Sequence, residues 1–556
     1  MKALALGLPL VLAAAAAGAA PAQPGPPRLL GLRISNGGTP FAGDTPQLAT
    51  ISPNRDGFRD RATIRFKLDR AGTVELQVVA TDEVRRPVQT IWSTRRKLAA
   101  GPQTIVWTPG RATPDRTYLV RLTVRGEPGG RRVYGFEPPR RGRLTSGLVV
   151  RVQGIQTGFL NRSYPVGGEA SLTVATDARR VRLQLFSFAN LPHPTVRDLR
   201  TNGLAVAPAV RLDWARRRST SHLVQISHAG ITQSGLYFLR VTAGDGRVGY
   251  APLILRPRTL GEHKVAVVLS TNTWQAYNFL DRNGDGWGDS WYVSGATTAV
   301  DLRRPYLDFG VPLRFRDWDL SFISWLERTG KEVDYLSDDD LERVGSGDAL
   351  RNAYDLVVFP GHEEYVRGHT YDVVRRYRDL GGRLMFLSAN NFFWKVDRDG
   401  QLLRRVQMWR KLGRPEASLV GSQWSAGNGG ALQKPYLVQG AATQPWAYAG
   451  TGLRNGSAFG RYGIEIDARS QSSPPGTAVL ARIPNLIGAH DAEMTYYETA
   501  AGGRVFSAGV VNFAASITDP AVSRLVENVW ERLSTGKKTT GPLRPGGRGR
   551  QAVMSG

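Results

Sequence analysis

A strand, a polar loop, a helix and a second strand follow one another between Tyr354 and Trp394. Apolar runs at 356–359 and 384–387 flank a helical pattern over 370–380. Each apolar run is followed by polar side chains, which are His362, Glu363 and Glu364 after the first and Ser388, Asn390 and Asn391 after the second. This order of elements is typical of a βαβ unit and predicts a parallel sheet. Because ligands bind beyond the carboxyl ends of parallel strands, we expect both polar groups at the functional site.

The first half of the chain has a different pattern, with short alternating strands separated by turn residues. The strands expected in a first module are at 62–68, 73–79, 104–107 and 118–124. They predict a β-sandwich over 44–125, preceded by a flexible lead-in at 23–43. A Gly/Pro/Arg linker leads to a second predicted β-sandwich over 145–257, whose first strand is 148–152. From 260 to 536, continuous apolar runs and an amphipathic helix at 317–328 predict an α/β domain.

Charge, cysteine content and the chain termini restrict the class of protein. The formal net charge is +26, but the arginines are scattered, so the charge does not indicate a nucleic-acid-binding protein. Residues 1–22 have one lysine, a short apolar core and small residues before a cleavage point, which predicts a signal peptide and a secreted protein. No later segment is apolar enough over ~20 residues to predict a membrane span. The basic, Gly/Pro-rich segment 537–556 predicts a disordered tail.

The residue types at the strand ends limit the chemistry. The chain contains no cysteine, which excludes a thiol nucleophile, a disulfide and a cysteine-ligated metal. No Gly-x-Ser-x-Gly motif indicates a serine hydrolase. The remaining His, Tyr and carboxylate side chains suit either acid–base catalysis or a hard metal ion with oxygen ligands. The alternative is structural: packed tyrosines, a histidine bonded to a carbonyl group, and a glutamate that caps a helix.

A second candidate metal site lies between 281 and 289. Oxygen-bearing side chains recur there at the spacing of a calcium loop: Asp281, Asn283, Asp285 and Asp289. Gly286 falls at the sixth loop position, where the turn requires glycine, but Tyr292 replaces the usual twelfth-position glutamate. The pattern therefore predicts an isolated Ca²⁺ site, with an Asp/Gly turn without metal as the alternative.

Several motifs together resemble the C-terminal region of the large subunit of N,N-dimethylformamidase. They are Thr273-Trp274-Gln275-Ala276-Tyr277-Asn278, Arg304-Pro305-Tyr306, Gly361-His362-Glu363-Glu364-Tyr365, Ser388-Ala389-Asn390-Asn391-Phe392-Phe393-Trp394 and Tyr496-Tyr497-Glu498-Thr499. The resemblance covers about half of the chain and implies an α/β domain of the class I glutamine amidotransferase-like, or flavodoxin-like, type. The segments 52–60 and 117–122 resemble the immunoglobulin-like module of the flagellar hook-capping protein, which implies a spacer.

The dimethylformamidase resemblance also implies a set of functional residues. A mononuclear iron would be held by Tyr277, Tyr306 and Glu364, with Tyr292 as the rival to Tyr306. His362 and Asn390 would orient the substrate and stabilise charge, and Glu498 would accept a proton.

The function implied is metal-dependent hydrolysis of a C–N bond in a small amide. A secreted, non-catalytic protein that binds a cell-surface glycan or polypeptide is the alternative. A homo-oligomer is compatible with the sequence, and nothing in the chain corresponds to the small subunit of the dimethylformamidase.

Overall fold

The computed structural model describes residues 25–81, 89–126, 129–135, 147–187, 203–292, 297–307 and 310–534. The predicted signal peptide and the predicted tail lie outside the described residues. Within the described residues the chain is β-rich and multidomain, with several sandwich-like sheets and few helices. None of the described helices combines the length and the apolar character that crossing a bilayer requires.

Two sheets face each other in the N-terminal unit. Its strands are β1 (Leu29–Ser35), β2 (Leu48–Ile51), β3 (Ala62–Leu68), β4 (Gly72–Ala80), β5 (Gln89–Leu98), β6 (Gly101–Trp107), β7 (Arg116–Arg125), β8 (Arg131–Gly135) and β9 (Leu148–Val152). One sheet has the order β1-β3-β6, and the other has the order β2-β9-β7-β4-β5 with β8 beside β7. Alternate side chains of these strands, including Ile64, Leu76 and Trp107, form one buried core between the sheets.

Five strands of this unit are not among those predicted for the first module: β1, β2, β5, β8, which lies in the expected linker, and β9. β1 lies in the segment expected to be a flexible lead-in, and it pairs with β3. β9 was expected in the second module, but it pairs with β2 and β7 of the first. Alternation in a short strand shows which side chains are buried but not which sheet the strand joins. The pairing partners of β1 and β9 therefore could not be predicted from the sequence pattern.

The second β-sandwich is built from nine strands. They are β10 (Gln156–Phe159), β11 (Ser163–Pro165), β12 (Glu169–Ala175), β13 (Arg180–Ser187), β14 (Leu204–Ala205), β15 (Val210–Asp213), β16 (His222–Ser227), β17 (Gly235–Ala243) and β18 (Val248–Arg256). The order is β10-β12-β16 in one sheet and β11-β18-β17-β13-β14 in the other, where β15 also pairs with β13. Phe238 and Ile254, on the far side of β17 and β18, share a core with the C-terminal region.

The C-terminal region contains the remaining strands and all eight α-helices of the described residues. The strands are β19 (Val265–Leu269), β20 (Ala299–Asp301), β21 (Asp334–Ser337), β22 (Leu356–Phe359), β23 (Tyr365–Arg367), β24 (Arg383–Phe386), β25 (Trp394–Asp399), β26 (Leu402–Met408), β27 (Gln423–Gly427), β28 (Gln433–Val438), β29 (Ala458–Gly463), β30 (Glu465–Ala468), β31 (Ala478–Ile487), β32 (His490–Glu498) and β33 (Arg504–Ser507). The helices are α1 (Thr271–Ala276), α2 (Ser321–Thr329), α3 (Asp338–Glu342), α4 (Gly347–Ala353), α5 (Gly368–Asp379), α6 (Ala417–Val420), α7 (Pro445–Tyr448) and α8 (Pro520–Leu533).

A nine-stranded mixed sheet organises this region, in the order β21-β19-β22-β24-β33-β32-β31-β28-β29. The first five strands are parallel, and α5 connects the parallel neighbours β22 and β24, as the sequence predicts. β19 and β22 are buried along their whole length, which explains their continuous apolar sequence. Smaller sheets of order β20-β26-β25-β23 and β27-β30 lie outside the nine strands.

Candidate functional site

The carboxyl ends of the parallel strands lead into a buried polar region. α1 follows β19 directly and ends beside Tyr277. The segment 360–364 follows β22, and the segment 387–391 follows β24. Backbone hydrogen bonds tie these two segments together, since Phe392 N donates to Glu363 O and Trp394 N donates to Glu364 O. The strand-end loops therefore form one connected surface, as expected for this sheet geometry.

Four of these residues form a group that we call the Tyr–Glu cluster: Tyr277, His362, Glu364 and Tyr365. The Tyr277 hydroxyl donates a hydrogen bond to the Glu364 carboxylate. The Tyr365 hydroxyl also hydrogen-bonds to Glu364. His362 Nε2 lies 3.6 Å from Glu364 Oε2, and neither ring nitrogen of His362 has a hydrogen-bond partner among the described residues. All four side chains are buried.

A second pair, Asn390 and Glu465, adjoins the cluster. Asn390 Nδ2 donates to Glu465 Oε2 at 2.7 Å, and His362 Nε2 is 3.9 Å from the same oxygen. The loop that presents Asn390 is strained, because Phe392 within it has a φ of 57°, which is unfavourable for a bulky aromatic residue. Ile464, directly before Glu465, has a φ of 74°, which is unfavourable for a β-branched residue. Strain on both sides of one hydrogen bond indicates that the surrounding fold holds these side chains in place.

Burial sets the charge state of the cluster. It raises the pKa of Tyr277 well above its usual value, and the neighbouring Glu364 adds to that rise. It lowers the pKa of His362 to about 3, so the imidazole is neutral near pH 7. It raises the pKa of Glu465 to about 7. The site therefore combines a neutral histidine with a carboxyl group that can take up or release a proton near neutral pH.

The cluster has the donors that a hard metal ion requires. Two phenol oxygens meet one carboxylate, and all three are the oxygen ligands that a ferric ion prefers. The unpartnered nitrogens of His362 lie beside them. These residues therefore fit the ligand set implied by the resemblance, with Tyr365 beside Tyr277.

Only one of the two tyrosines named earlier as second ligands lies away from the cluster. Tyr306 hydrogen-bonds to Gln275 and lines a separate cavity with Arg162. Tyr292 packs against Tyr277 with ring centroids 4.8 Å apart, so it lies beside the cluster, and its role as a metal ligand stays a prediction. Tyr365 was missed because it was read only as part of the 361–365 motif. Tyr365 directly follows Glu364 at the start of β23, and this position could have indicated that its side chain lies near the Glu364 carboxylate.

Glu498 is not brought to the cluster. It ends β32, which runs antiparallel to β33, and it pairs with Arg504 at the amino end of that strand. Its carboxylate accepts hydrogen bonds from Tyr496 and Arg532 and is 42% exposed. The strand direction therefore puts Glu498 at the edge opposite the candidate site. Glu465 lies next to His362 and Asn390, where Glu498 was expected.

The acidic side chains of the loop 281–289 hydrogen-bond to the loop's own backbone, and the calcium site stays a prediction. Asp281 accepts hydrogen bonds from the backbone N–H groups of Gly284 and Gly286, and Asp289 accepts one from Arg282. Throughout the described ranges, no group of three or more Asp, Glu or His side chains is arranged to hold a metal ion. The acids have the spacing of a calcium loop, and their oxygens also accept hydrogen bonds from the loop's own backbone.

The same loop has a structural role at the first β-sandwich. Trp287 packs against Leu48 and Leu119 on that sandwich, and Thr81 donates a hydrogen bond to the carbonyl of Gly286. A side chain at Gly286 would approach Leu119 Cδ2 to 2.2 Å, so glycine is required by this close contact. The loop thus joins the N-terminal unit to the segment that follows Tyr277.

Arg304 organises the backbone around the cluster. Its guanidinium donates to five carbonyl oxygens, which belong to Gln275, Asn278, Leu280, Asp289 and Asp301. The residue is 4% exposed. One buried side chain therefore fixes the end of α1, the loop 281–289 and the end of β20 together.

A buried acid behind Asn390 leads to a pH-dependent prediction. Asp467 Oδ1 accepts the Asn390 N–H at 2.8 Å, and burial raises the pKa of Asp467 to about 8. Between its usual pKa and about 8 the folded state holds a proton that the unfolded state has lost. Stability therefore falls as pH rises through this window, by up to about 1.4 kcal/mol per pH unit for one such group.

Asp467→Asn is expected to remove this contribution, so that the unfolding midpoint varies less between about pH 5 and pH 8 than in the parent protein. Chemical unfolding at a series of pH values measures the difference. Asp491→Asn is the control, because Asp491 lies at the surface end of β32. An unchanged slope in Asp467→Asn would show that Asp467 is ionised in the folded protein.

Comparison with known proteins identifies the family. Residues 209–524, more than half of the chain, match the family described as N,N-dimethylformamidase beta subunit-like, C-terminal. The N,N-dimethylformamidase beta subunit of Paracoccus aminophilus is 25% identical over 398 residues, which is 53% of this chain and 52% of that protein. The beta subunit from an Alcaligenes species is 24% identical over 278 residues, which is 39% of this chain and 36% of that protein.

The chain spans about half the length, or less, of these two relatives. Among solved structures, the native conformation of Escherichia coli alpha-2-macroglobulin aligns with 41% of this chain and 16% of the macroglobulin chain, at 10% identity and a TM-score of 0.22. The matched range 209–524 contains every member of the Tyr–Glu cluster as well as Asn390 and Glu465. The chain therefore belongs to the N,N-dimethylformamidase beta subunit-like, C-terminal family.

Proposed function

We propose that this protein hydrolyses the C–N bond of a small amide at the Tyr–Glu cluster. The observation that carries the proposal is the convergence of Tyr277 and Tyr365 on Glu364, with His362 and Glu465 alongside. The relatives whose names describe an N,N-dimethylformamidase support an amide as the substrate class. We also assign the parallel strands to the flavodoxin-like, glutamine amidotransferase-like class, supported by the order β21-β19-β22-β24-β33.

In this proposal Tyr277, Tyr365 and Glu364 would hold a ferric ion, which would supply Lewis acidity toward the amide carbonyl and toward water. Burial raises the pKa of the two phenols, and the positive charge of the metal would lower it again. The rest of the chemistry belongs to the chain's own side chains.

Glu465 accepts the proton of the attacking water, and a pKa near 7 suits that role. Asn390 fixes Glu465 through the hydrogen bond from Nδ2. His362 is neutral and keeps one N–H, which can donate a hydrogen bond to the oxygen on which charge develops. The aromatic rings of Tyr277 and Trp318 pack against the imidazole, with centroids 5.6 and 5.3 Å away, and exclude water from it.

The test measures metal and activity on the same purified protein. We expect about one iron per chain, a visible absorption band from phenolate ligation, and release of dimethylamine from N,N-dimethylformamide. Removal of iron by a chelator should abolish both the colour and the activity, and added iron should restore them. Iron-free protein that releases no amine from a series of small amides would contradict the proposal and favour the binding-protein alternative.

We further propose that the protein is exported, based on the leader at 1–22. The same preparation tests this, because the N-terminus of exported protein should begin near residue 23. Full-length protein that stays inside the producing cells would exclude export.

A further inference from the structure

An open groove of about 660 Å³ lies on the outer face of the first β-sandwich. It is formed where β4 begins and where β5 and β7 end. Gly72 and Gly126 line the groove and also pack against Pro27, since a Cβ on either glycine would lie 2.8 Å from the proline ring. This part of the wall is therefore close-packed. The groove belongs to a module that carries none of the proposed catalytic groups, and its volume is in the range of ligand sites.

Three basic side chains line the groove, and they are Arg95, Lys97 and Arg125. Lys97 and Arg125 both lie directly opposite Thr73, so they project from the same face of the sheet. Arg95 is two residues from Lys97 on β5 and shares that face. All three are exposed, and none of their side chains has an ion-pair partner among the described residues. No Asp or Glu is among the described residues that line the groove.

The rim of the groove is also basic. Arg131 on β8 lies directly opposite Arg125, so it extends the row of positive charges across the sheet. Glu75, which lies opposite Arg95, is the only acid in the sequences of β4, β5, β7 and β8. The groove and its rim therefore favour an anionic ligand.

The spacing of the charges indicates the size of this ligand. Two residues apart on a strand corresponds to about 7 Å, and two strands apart in a sheet corresponds to about 10 Å. Arg95 and Lys97 have the first separation, and Lys97 and Arg125 have the second. A single small anion cannot contact all three side chains at once, whereas a polymer with an anionic group on each repeat can.

The other lining residues distinguish between classes of polyanion. No aromatic ring is among the described residues of the lining, so nucleobases would lack the stacking partners that single-stranded nucleic acid uses. Leu98 is the only large apolar side chain among them, which leaves little to insert into a membrane surface. Thr73 supplies a hydroxyl group that can hydrogen-bond to a sugar. We propose that the groove binds an acidic polysaccharide, with its anionic groups on the three basic side chains and a sugar hydroxyl on Thr73.

The test uses dextran sulfate as the probe on the full chain, at low ionic strength. Calorimetric titration should give saturable binding that weakens as salt is added, because the contacts join exposed charges. The double variant Lys97→Gln, Arg125→Gln should bind about tenfold more weakly, since each exposed ion pair accounts for a few-fold in affinity. The matched control is Arg65→Gln, Lys67→Gln, which removes the same charges from exposed positions on β3 in the opposite sheet and should leave the affinity within about twofold.

Two further ligands test the class of polymer on the parent protein, independently of how the variants fold. Unsulfated dextran of the same length should not bind, and a single-stranded oligonucleotide of the same charge should bind more weakly than dextran sulfate. Equal losses in the two double variants, or no binding of dextran sulfate to the parent, would overturn the site. Tighter binding of the oligonucleotide would overturn the polysaccharide class. These outcomes do not depend on amide hydrolysis.

Discussion

Glu364→Gln should lower kcat for amide hydrolysis by about 10³-fold, with little change in the unfolding midpoint. The amide side chain keeps the shape of the carboxylate and can still accept hydrogen bonds from Tyr277 and Tyr365. It removes the carboxylate group on which both hydroxyls converge, although burial raises the pKa of Glu364 well above its usual value in the protein without metal. Since an ionised carboxylate would also bind the metal, the visible absorption band and the iron content should be lost with the activity.

Two controls separate this effect from general damage. Glu527→Gln changes a buried glutamate of α8 that pairs with Lys331, so the activity should persist although stability can fall. Tyr277→Phe should reproduce the loss of activity and colour, whereas Tyr462→Phe, a change at a buried tyrosine outside the cluster, should not. Full activity in both Glu364→Gln and Tyr277→Phe would show that hydrolysis takes place elsewhere.

Arg304→Met is expected to give the largest loss of stability, about 4 kcal/mol or more. Methionine fills a similar volume but leaves five carbonyl oxygens without their donor, three of them in buried hydrogen bonds and two in partly buried ones. The neighbouring Arg303→Met is the matched control, because Arg303 is an exposed residue that pairs with Asp301 at 2.9 Å, and such pairs contribute about 1 kcal/mol or less.

Chemical unfolding followed by near-ultraviolet circular dichroism measures both variants. A similar shift in the two would mean that the carbonyl groups around Arg304 find other partners. Arg304→Lys should fall between them, since an ammonium group can satisfy at most three of the five acceptors.

Most of the candidate site could be located from the sequence, because ligands bind beyond the carboxyl ends of parallel strands. His362, Glu364 and Asn390 follow β22 and β24, and the structure brings them together because parallel strands end at the same edge. Glu465 could not be found this way, because it starts β30, which pairs with the distant strand β27 in a two-stranded sheet outside the main sheet. Glu498 has a suitable side chain in a suggestive motif, but the direction of an antiparallel strand decides its edge, and local sequence does not encode that direction.

The spacing of acidic residues does not by itself decide between a cation site and a turn. Oxygen donors at that spacing can bind a cation or accept backbone N–H groups; in the loop 281–289 they accept backbone N–H groups, and the calcium site stays a prediction. The partners of β1 and β9 were similarly hidden, since strand pairing depends on contacts that are distant along the chain. Local patterns were therefore reliable for individual elements and less so for their partners.

The seating of Trp287 on the N-terminal unit has a consequence for shortened versions of this protein. A version that begins at the second β-sandwich would expose Trp287 and free a loop that leads to within three residues of Tyr292, the aromatic neighbour of Tyr277. Removing a module that carries none of the proposed catalytic groups would then loosen the Tyr–Glu cluster from a distance. Shortened versions designed to keep the proposed activity should accordingly retain the first β-sandwich.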